Sequence, residues 1–252
     1  MIEGIETGYE EKFDFPAWEG PPAIPYLLAS VPRSGSTYFS HLLWKTGCLG
    51  APLEYLNFLK GGPYGHVDGD PVGQTALWRS LFSRRTSPNG AFGLKLFPIQ
   101  MRVLQVQNPG LVIEVMRFLM AVGSNSKVIQ LRRRDRTGHA ISLARAMLSG
   151  IWRKEQEGDD RFEPEYSRTA VENAERSIQQ AEESWAAMYF DLRLTPLELW
   201  HEDVMQDPHN ATRQVAQYLE VEWNPQAAVD IPDIERQSQA GAKAWAQKHS
   251  SH

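Results

Sequence analysis

Apolar positions along this chain follow two periods, and the change between them marks out the elements. Residues 26–31 form a short apolar run, Tyr26-Leu27-Leu28-Ala29-Ser30-Val31. Small and polar residues follow at 32–37, Pro32-Arg33-Ser34-Gly35-Ser36-Thr37. Phe39, Leu42 and Leu43 then recur at helical spacing until Gly47. The pattern predicts a strand, a tight loop and a helix. Further apolar runs at 91–97, 127–132 and 195–200 read as strands. Helical spacing is expected over 74–82, 99–106, 111–121, 135–148, 168–190, 207–218 and 235–249.

Segment 48–58 reads as a short second strand or an extended loop. Residues 60–73 carry five Gly and two Pro and are expected to be loop. Residues 150–168 and 223–234 are irregular in pattern. Strands alternating with helices predict an α/β fold, a central parallel sheet with helices on both faces. Ligands in such folds sit at the carboxyl ends of the strands. One domain over 1–252 is expected, with an N-terminal arm at 1–24 that is acidic, then aromatic and Pro-rich.

Composition narrows the function classes. The net charge of −5 argues against general attraction to nucleic acid or an anionic membrane. Any anion site must then be a local concentration of Arg. Cys48 is the one cysteine, which precludes an intramolecular disulfide and suits a reducing compartment. It follows Gly47 at an element boundary and reads as a small buried residue. The opening residues lack a basic region and a long apolar run, and no later segment approaches a membrane span. A cytoplasmic protein is expected.

The loop at 32–37 is the first candidate for chemistry. A strand–loop–helix unit aims backbone N–H groups and a helix dipole at one spot, where an anion fits. Arg33 adds positive charge, Ser34, Ser36 and Thr37 add hydroxyl donors, and Gly35 lets backbone approach closely. A triphosphate loop needs a Lys ahead of its Ser/Thr, and none precedes Thr37. The second candidate is Arg133, at the end of a predicted strand, with Ser142 two turns into the next helix. Such a pair suits a second phosphate. Alone, the first also reads as a common small polar loop between strand and helix, and the second as a solvated basic cluster capped by Asp135. The seven His show no metal-ligand spacing, and no metal site is expected.

Taken in order, the Arg33-Ser34-Gly35-Ser36-Thr37 loop, the Gly50-Ala51-Pro52-Leu53-Glu54-Tyr55 segment, the strand around Lys95 and the 131–146 strand–helix resemble the Stf0-type sulfotransferases. Glu235-Arg236-Gln237 followed by Trp245 also looks like that family's ending. The resemblance spans about residues 25–249 and implies a P-loop-like sulfotransferase fold. It implies transfer of a sulfuryl group from 3′-phosphoadenosine 5′-phosphosulfate (PAPS), without a metal, to a hydroxyl of a carbohydrate or other small metabolite, such as a sugar or a glycolipid-like molecule. Carried over by position, Arg33, Ser34, Gly35, Ser36 and Thr37 would bind the 5′-phosphosulfate, with Arg33 also stabilising the developing charge. Arg133 and Ser142 would bind the 3′-phosphate, and Glu54 would be the general base. Lys95 matches a strand Lys of unassigned role. Members of the family form homodimers, with which the aromatic content is compatible.

Flanking by Leu53 and Tyr55 is expected to desolvate Glu54 and make it a stronger base. The chain departs from the family pattern at Ala51, where an acidic residue is frequent, and at Leu53, where a polar one is. It is shorter around 60–73, and Arg134 stands where Pro is usual, adding charge near the 3′-phosphate. No acceptor is therefore carried over. A P-loop-like nucleotide-dependent kinase and a non-catalytic nucleotide-binding protein are the alternative readings.

Overall fold

Strand β1 (Ile24–Ala29) is the axis of the molecule because it is apolar on both sides and can be covered on both. The computed structural model describes residues 6–120, 126–152, 156, 163–234 and 240–251. Among them β1, β2 (Ala91–Leu96), β3 (Lys127–Arg132) and β4 (Leu197–Trp200) form one sheet in the order β2-β1-β3-β4. Each adjacent pair is parallel, with Leu28 opposite both Lys95 and Ile129.

Side chains alternate across β1 and separate the core into two faces. Tyr26 and Leu28 join Phe39 and Leu43 of α1 (Ser36–Lys45) and Val215 and Leu219 of α8 (Pro208–Leu219). Leu27 and Ala29 join Trp78 of α2 (Pro71–Arg85), Val115 of α4 (Pro109–Met120) and Trp185 of α6 (Arg168–Leu192). A third cluster sets α5 (Arg136–Ser149) against α6 and against Trp245 of α9 (Ala240–Ser250). The parallel sheet with helices on both faces is as the sequence predicts.

The chain leaves β1 for β2 on one side and crosses back to β3 on the other. The carboxyl end of β1 is thus the point where the direction of winding changes, and α/β folds bind ligands there.

Boundaries differ from expectation where local capping decides them. Helix α2 begins at Pro71 rather than 74, because the Asp70 side chain accepts the Gly73 N–H at 3.0 Å and Pro suits a first turn. Asn108 separates α3 (Pro98–Gln107) from α4, and its side-chain oxygen accepts the Leu111 N–H at 3.1 Å. Segment 48–58 is not a strand; Leu53 makes an isolated parallel bridge to Leu94. Cys48 is half-buried rather than buried, and desolvation pushes its thiol up. Glu235-Arg236-Gln237 lies outside the described residues. No helix among those described is long and apolar enough to cross a membrane.

The described part of the arm is bound to the carboxyl end of α2. Phe15 and Trp18 N–H donate to the carbonyls of Arg84 and Ser83, both at 2.9 Å. The guanidinium of Arg85, 1% exposed, sits 2.9 Å from Asp14. A charge that deep must be compensated, and the arm supplies the carboxylate.

Candidate active site

The loop between β1 and α1 has the backbone of an anion cradle. Arg33 takes φ +69° and Gly35 φ +86°, both left-handed. For Arg33 that conformation costs about 1–2 kcal/mol, which the surrounding contacts must offset. Gly35 is the N-cap of α1 and has no Cβ to shield the helix start. A Cβ there would lie 2.2 Å from Nδ1 of His201, the first residue of α7 (His201–Gln206). The first N–H groups of α1 precede its first i→i−4 bond, Phe39 N–H to Gly35 O. Ser34 is fully buried, and its Oγ has no hydrogen-bond partner among the described residues. A buried hydroxyl in that state costs about 1–3 kcal/mol unless an oxygen ligand accepts it. Ser36 is buried and Thr37 half-buried at the same helix start.

The loop is braced from behind. His139, 1% exposed, lies with Nε2 2.8 Å from Pro32 O. Burial is the main cause that pushes its pKa down to about 4, so the ring is neutral at pH 7 and Nε2 donates.

The two phosphate units expected from the sequence form one cluster. The Nε of Arg33 donates to Ser142 Oγ at 3.0 Å, and its Nη1 donates to Trp152 O at 2.7 Å. Arg133 Nη1 reaches Arg33 O at 3.5 Å, and its Nη2 pairs with Asp135 at 3.1 Å. Ser142 is therefore engaged by Arg33 rather than by Arg133, which reaches the Arg33 backbone. Ser142, as acceptor of Arg33, keeps its own proton for a ligand. Arg134 adds less charge than expected. Asp203 takes its guanidinium at 2.7 Å, and its plane lies 4.9 Å from the Trp200 ring centre.

On the other side of β1 stands Glu54. Its Oε1 lies 3.1 Å from Nζ of Lys95. Its Oε2 accepts Asn57 Nδ2 at 3.0 Å and Gln100 Nε2 at 2.8 Å. Leu53 and Tyr55 point into the core, so the apolar surroundings expected for the carboxylate are replaced by polar donors. The Lys95 Nζ also donates to Thr37 Oγ1 at 3.2 Å. One buried ammonium thus joins the loop to the carboxylate. A Lys with a 1% exposed side chain persists in a strand only with such partners.

Segment 50–55 holds Glu54 against β2. Gly50, at φ +68°, approaches so closely that a Cβ would lie 2.9 Å from Ala91 O. Lys95 N–H donates to Leu53 O at 3.0 Å. Gln100 also caps the start of α3, its Oε1 taking the Phe97 N–H at 2.9 Å.

The structure brings together Arg33, Ser34, Gly35, Ser36, Thr37, Arg133 and Ser142, with Glu54 linked to them through Lys95. Sequence reasoning missed Gln100, Asn57, His139 and His201. For Lys95 the signal was present, a charge inside an apolar strand, but its partners were not readable. Asn57 and Gln100 are single polar residues among apolar neighbours, and none of the others carries a spacing signal.

The family model described as Stf0 sulphotransferase matches residues 25–252 of this chain. The chain is 24% identical over 253 residues to trehalose 2-sulfotransferase of Mycobacterium tuberculosis (strain ATCC 35801 / TMC 107 / Erdman), covering 89% of this chain and 94% of that enzyme. It is 23% identical over 252 residues to trehalose 2-sulfotransferase of Mycolicibacterium smegmatis (strain ATCC 700084 / mc(2)155), covering 89% and 93%.

Proposed function

The chain belongs to the Stf0 sulphotransferase family, and on that premise we propose that it moves a sulfuryl group from PAPS to a hydroxyl of a carbohydrate or small-metabolite acceptor. The observation that carries this reading is the bridge at Lys95. Its Nζ lies 3.2 Å from Thr37 Oγ1 in the cradle and 3.1 Å from Glu54 Oε1. A carboxylate base therefore stands one side chain away from an anion loop.

The residues fit the donor. The unpartnered Ser34 hydroxyl, the α1 start and the loop backbone suit the 5′-phosphosulfate. The cluster of Arg33, Arg133 and Ser142 suits the separate 3′-phosphate. PAPS supplies a sulfuryl group already attached to a good leaving group, a phosphate, so no metal is invoked.

The roles then follow from position. Glu54 receives the acceptor's hydroxyl proton as the new oxygen–sulfur bond forms and the sulfur–oxygen bond to the 5′-phosphate breaks. The products are a sulfate ester and adenosine 3′,5′-bisphosphate. Oε2 of Glu54 already accepts two donors, which leaves a lone pair on Oε1 for that proton. Asn57 and Gln100 fix the carboxylate's orientation, and such fixing is worth a large share of the barrier. Lys95 holds the Glu54 carboxylate in place and puts positive charge beside the loop, where charge builds in the transition state. Arg33, turned toward Ser142 and Trp152, serves donor binding, and Lys95 takes the charge-stabilising role that the sequence assigned to Arg33. The carbohydrate class of acceptor rests on the two trehalose-sulfating relatives.

The direct test incubates the protein with sulfur-labelled PAPS and a mixed metabolite extract, then identifies labelled products by mass spectrometry. Label in a sulfate ester of a hydroxylated metabolite is expected. Tight binding of adenosine 3′,5′-bisphosphate with no transfer to any metabolite would overturn the reading.

A further inference from the structure

We infer that the N-terminal arm is part of the catalytic apparatus, with Tyr9 positioning the base; this rests on the reading of Glu54 given above. The Tyr9 hydroxyl accepts the backbone N–H of Glu54 at 3.0 Å, across 45 residues of sequence. The arm lies ahead of residues 25–252, which the family model matches.

The stretch that carries Glu54 has little regular structure to hold it. Leu53 N–H donates to Ala51 O at 2.8 Å and Tyr55 N–H to Leu53 O at 3.0 Å, both local turns. Its backbone is tied to the sheet at Leu53, whose carbonyl accepts the Lys95 N–H of β2 at 3.0 Å. The N–H of Glu54 is the next donor along, and Tyr9 meets it. Moving that N–H moves the Cα from which the carboxylate projects, and with it the contact to Lys95.

Tyr9 itself is rigidly held. It is 8% exposed and meets Tyr64 edge-on at 5.5 Å. The Glu10 carboxylate closes the turn before it, accepting Thr7 N–H at 2.9 Å, Thr7 Oγ1 at 2.8 Å and Gly8 N–H at 2.8 Å. Arg85 clamps the same turn from the core, donating to Gly8 O at 3.0 Å and Glu10 O at 3.2 Å. Gly8, at φ +88°, lies so near Trp44 that a Cβ would sit 2.9 Å from its ring. A buried cation, a closed turn and an aromatic wall thus converge on one hydroxyl, more than a loose tail needs to satisfy one half-buried N–H.

The test compares wild type, Tyr9→Phe, Glu54→Gln and the double variant. Turnover is read as labelled sulfate transferred from PAPS into the metabolite extract. Tyr9→Phe keeps the ring against Tyr64 and removes only the oxygen. It is expected to lower kcat about tenfold while leaving the KM for PAPS and the affinity for adenosine 3′,5′-bisphosphate unchanged. In the Glu54→Gln background the same change is expected to have no further effect, because Tyr9 acts through Glu54. Wild-type turnover in Tyr9→Phe beside a crippled Glu54→Gln overturns the positioning role alone. A further tenfold loss in the double variant, or a parallel fall in nucleotide affinity, does the same. Full turnover in Glu54→Gln removes the base, and the role of Tyr9 with it.

Discussion

The two sides of β1 are built on opposite plans. On the β3 side the candidate donor site is made of regular structure: a strand end, a loop with two left-handed residues, and the starts of α1 and α5. Backbone geometry alone makes that side attractive to an anion, and Arg33 and Arg133 sharpen it. On the β2 side the proposed base, Glu54, stands on an irregular segment, and side chains from distant elements hold it: Lys95 from β2, Gln100 from α3 and Tyr9 from the arm. A site of the first kind tolerates change in its outer residues, whereas one of the second depends on each contact.

Lys95 is where the two plans meet, so removing it is the most damaging way to break the comparison. Lys95→Met should lower kcat by about 100-fold or more, because the charge beside the loop and the partner of Glu54 are lost together. Steady-state kinetics with PAPS checks this, and Lys95→Arg, which keeps the charge but not the geometry, should recover only part. Arg33→Ala should act on one side only. It should weaken adenosine 3′,5′-bisphosphate binding about 10- to 100-fold by calorimetry, the scale of charged hydrogen bonds, with the contacts of Glu54 intact. A loss confined to kcat would return Arg33 to the charge-stabilising role expected from sequence.

A change in stability rather than turnover sharpens the donor side. The folded protein keeps His139 neutral down to about pH 4, against an ordinary value of 6.5, because it is buried. Between those values the unfolded chain takes up a proton that the folded one resists, so stability falls as pH drops from 6.5 toward 4. The full loss is about 3 kcal/mol. His139→Gln has no such proton to take up. Its stability difference from wild type, measured by urea unfolding, should therefore narrow as pH falls through that window.

What could be read in the sequence follows the same division. The strands at 91–97 and 127–132 and the loop at 32–37 were legible because hydrophobic period and turn chemistry are local signals. The start of α2 was missed by three residues because the Gly count at 60–73 outweighed the Asp70-Pro71 cap. The pairing of Ser142 with Arg33 was out of reach, since 109 residues separate them and no spacing encodes the contact. Glu54 was found by resemblance, yet its surroundings were misjudged: neighbours in sequence turned inward, and the carboxylate met residues from elsewhere. An arm was expected at 1–24, but nothing in its acidic, Pro-rich composition pointed to the Tyr9 contact.

The measurement that bears most directly on the whole account is made on Glu54→Gln. The variant keeps the shape of the carboxylate and removes its basicity. Adenosine 3′,5′-bisphosphate should bind as tightly as to wild type, while sulfate transfer from PAPS into the metabolite extract should fall by about 100-fold or more. Unchanged turnover in a variant that still binds the nucleotide would contradict the account at its centre.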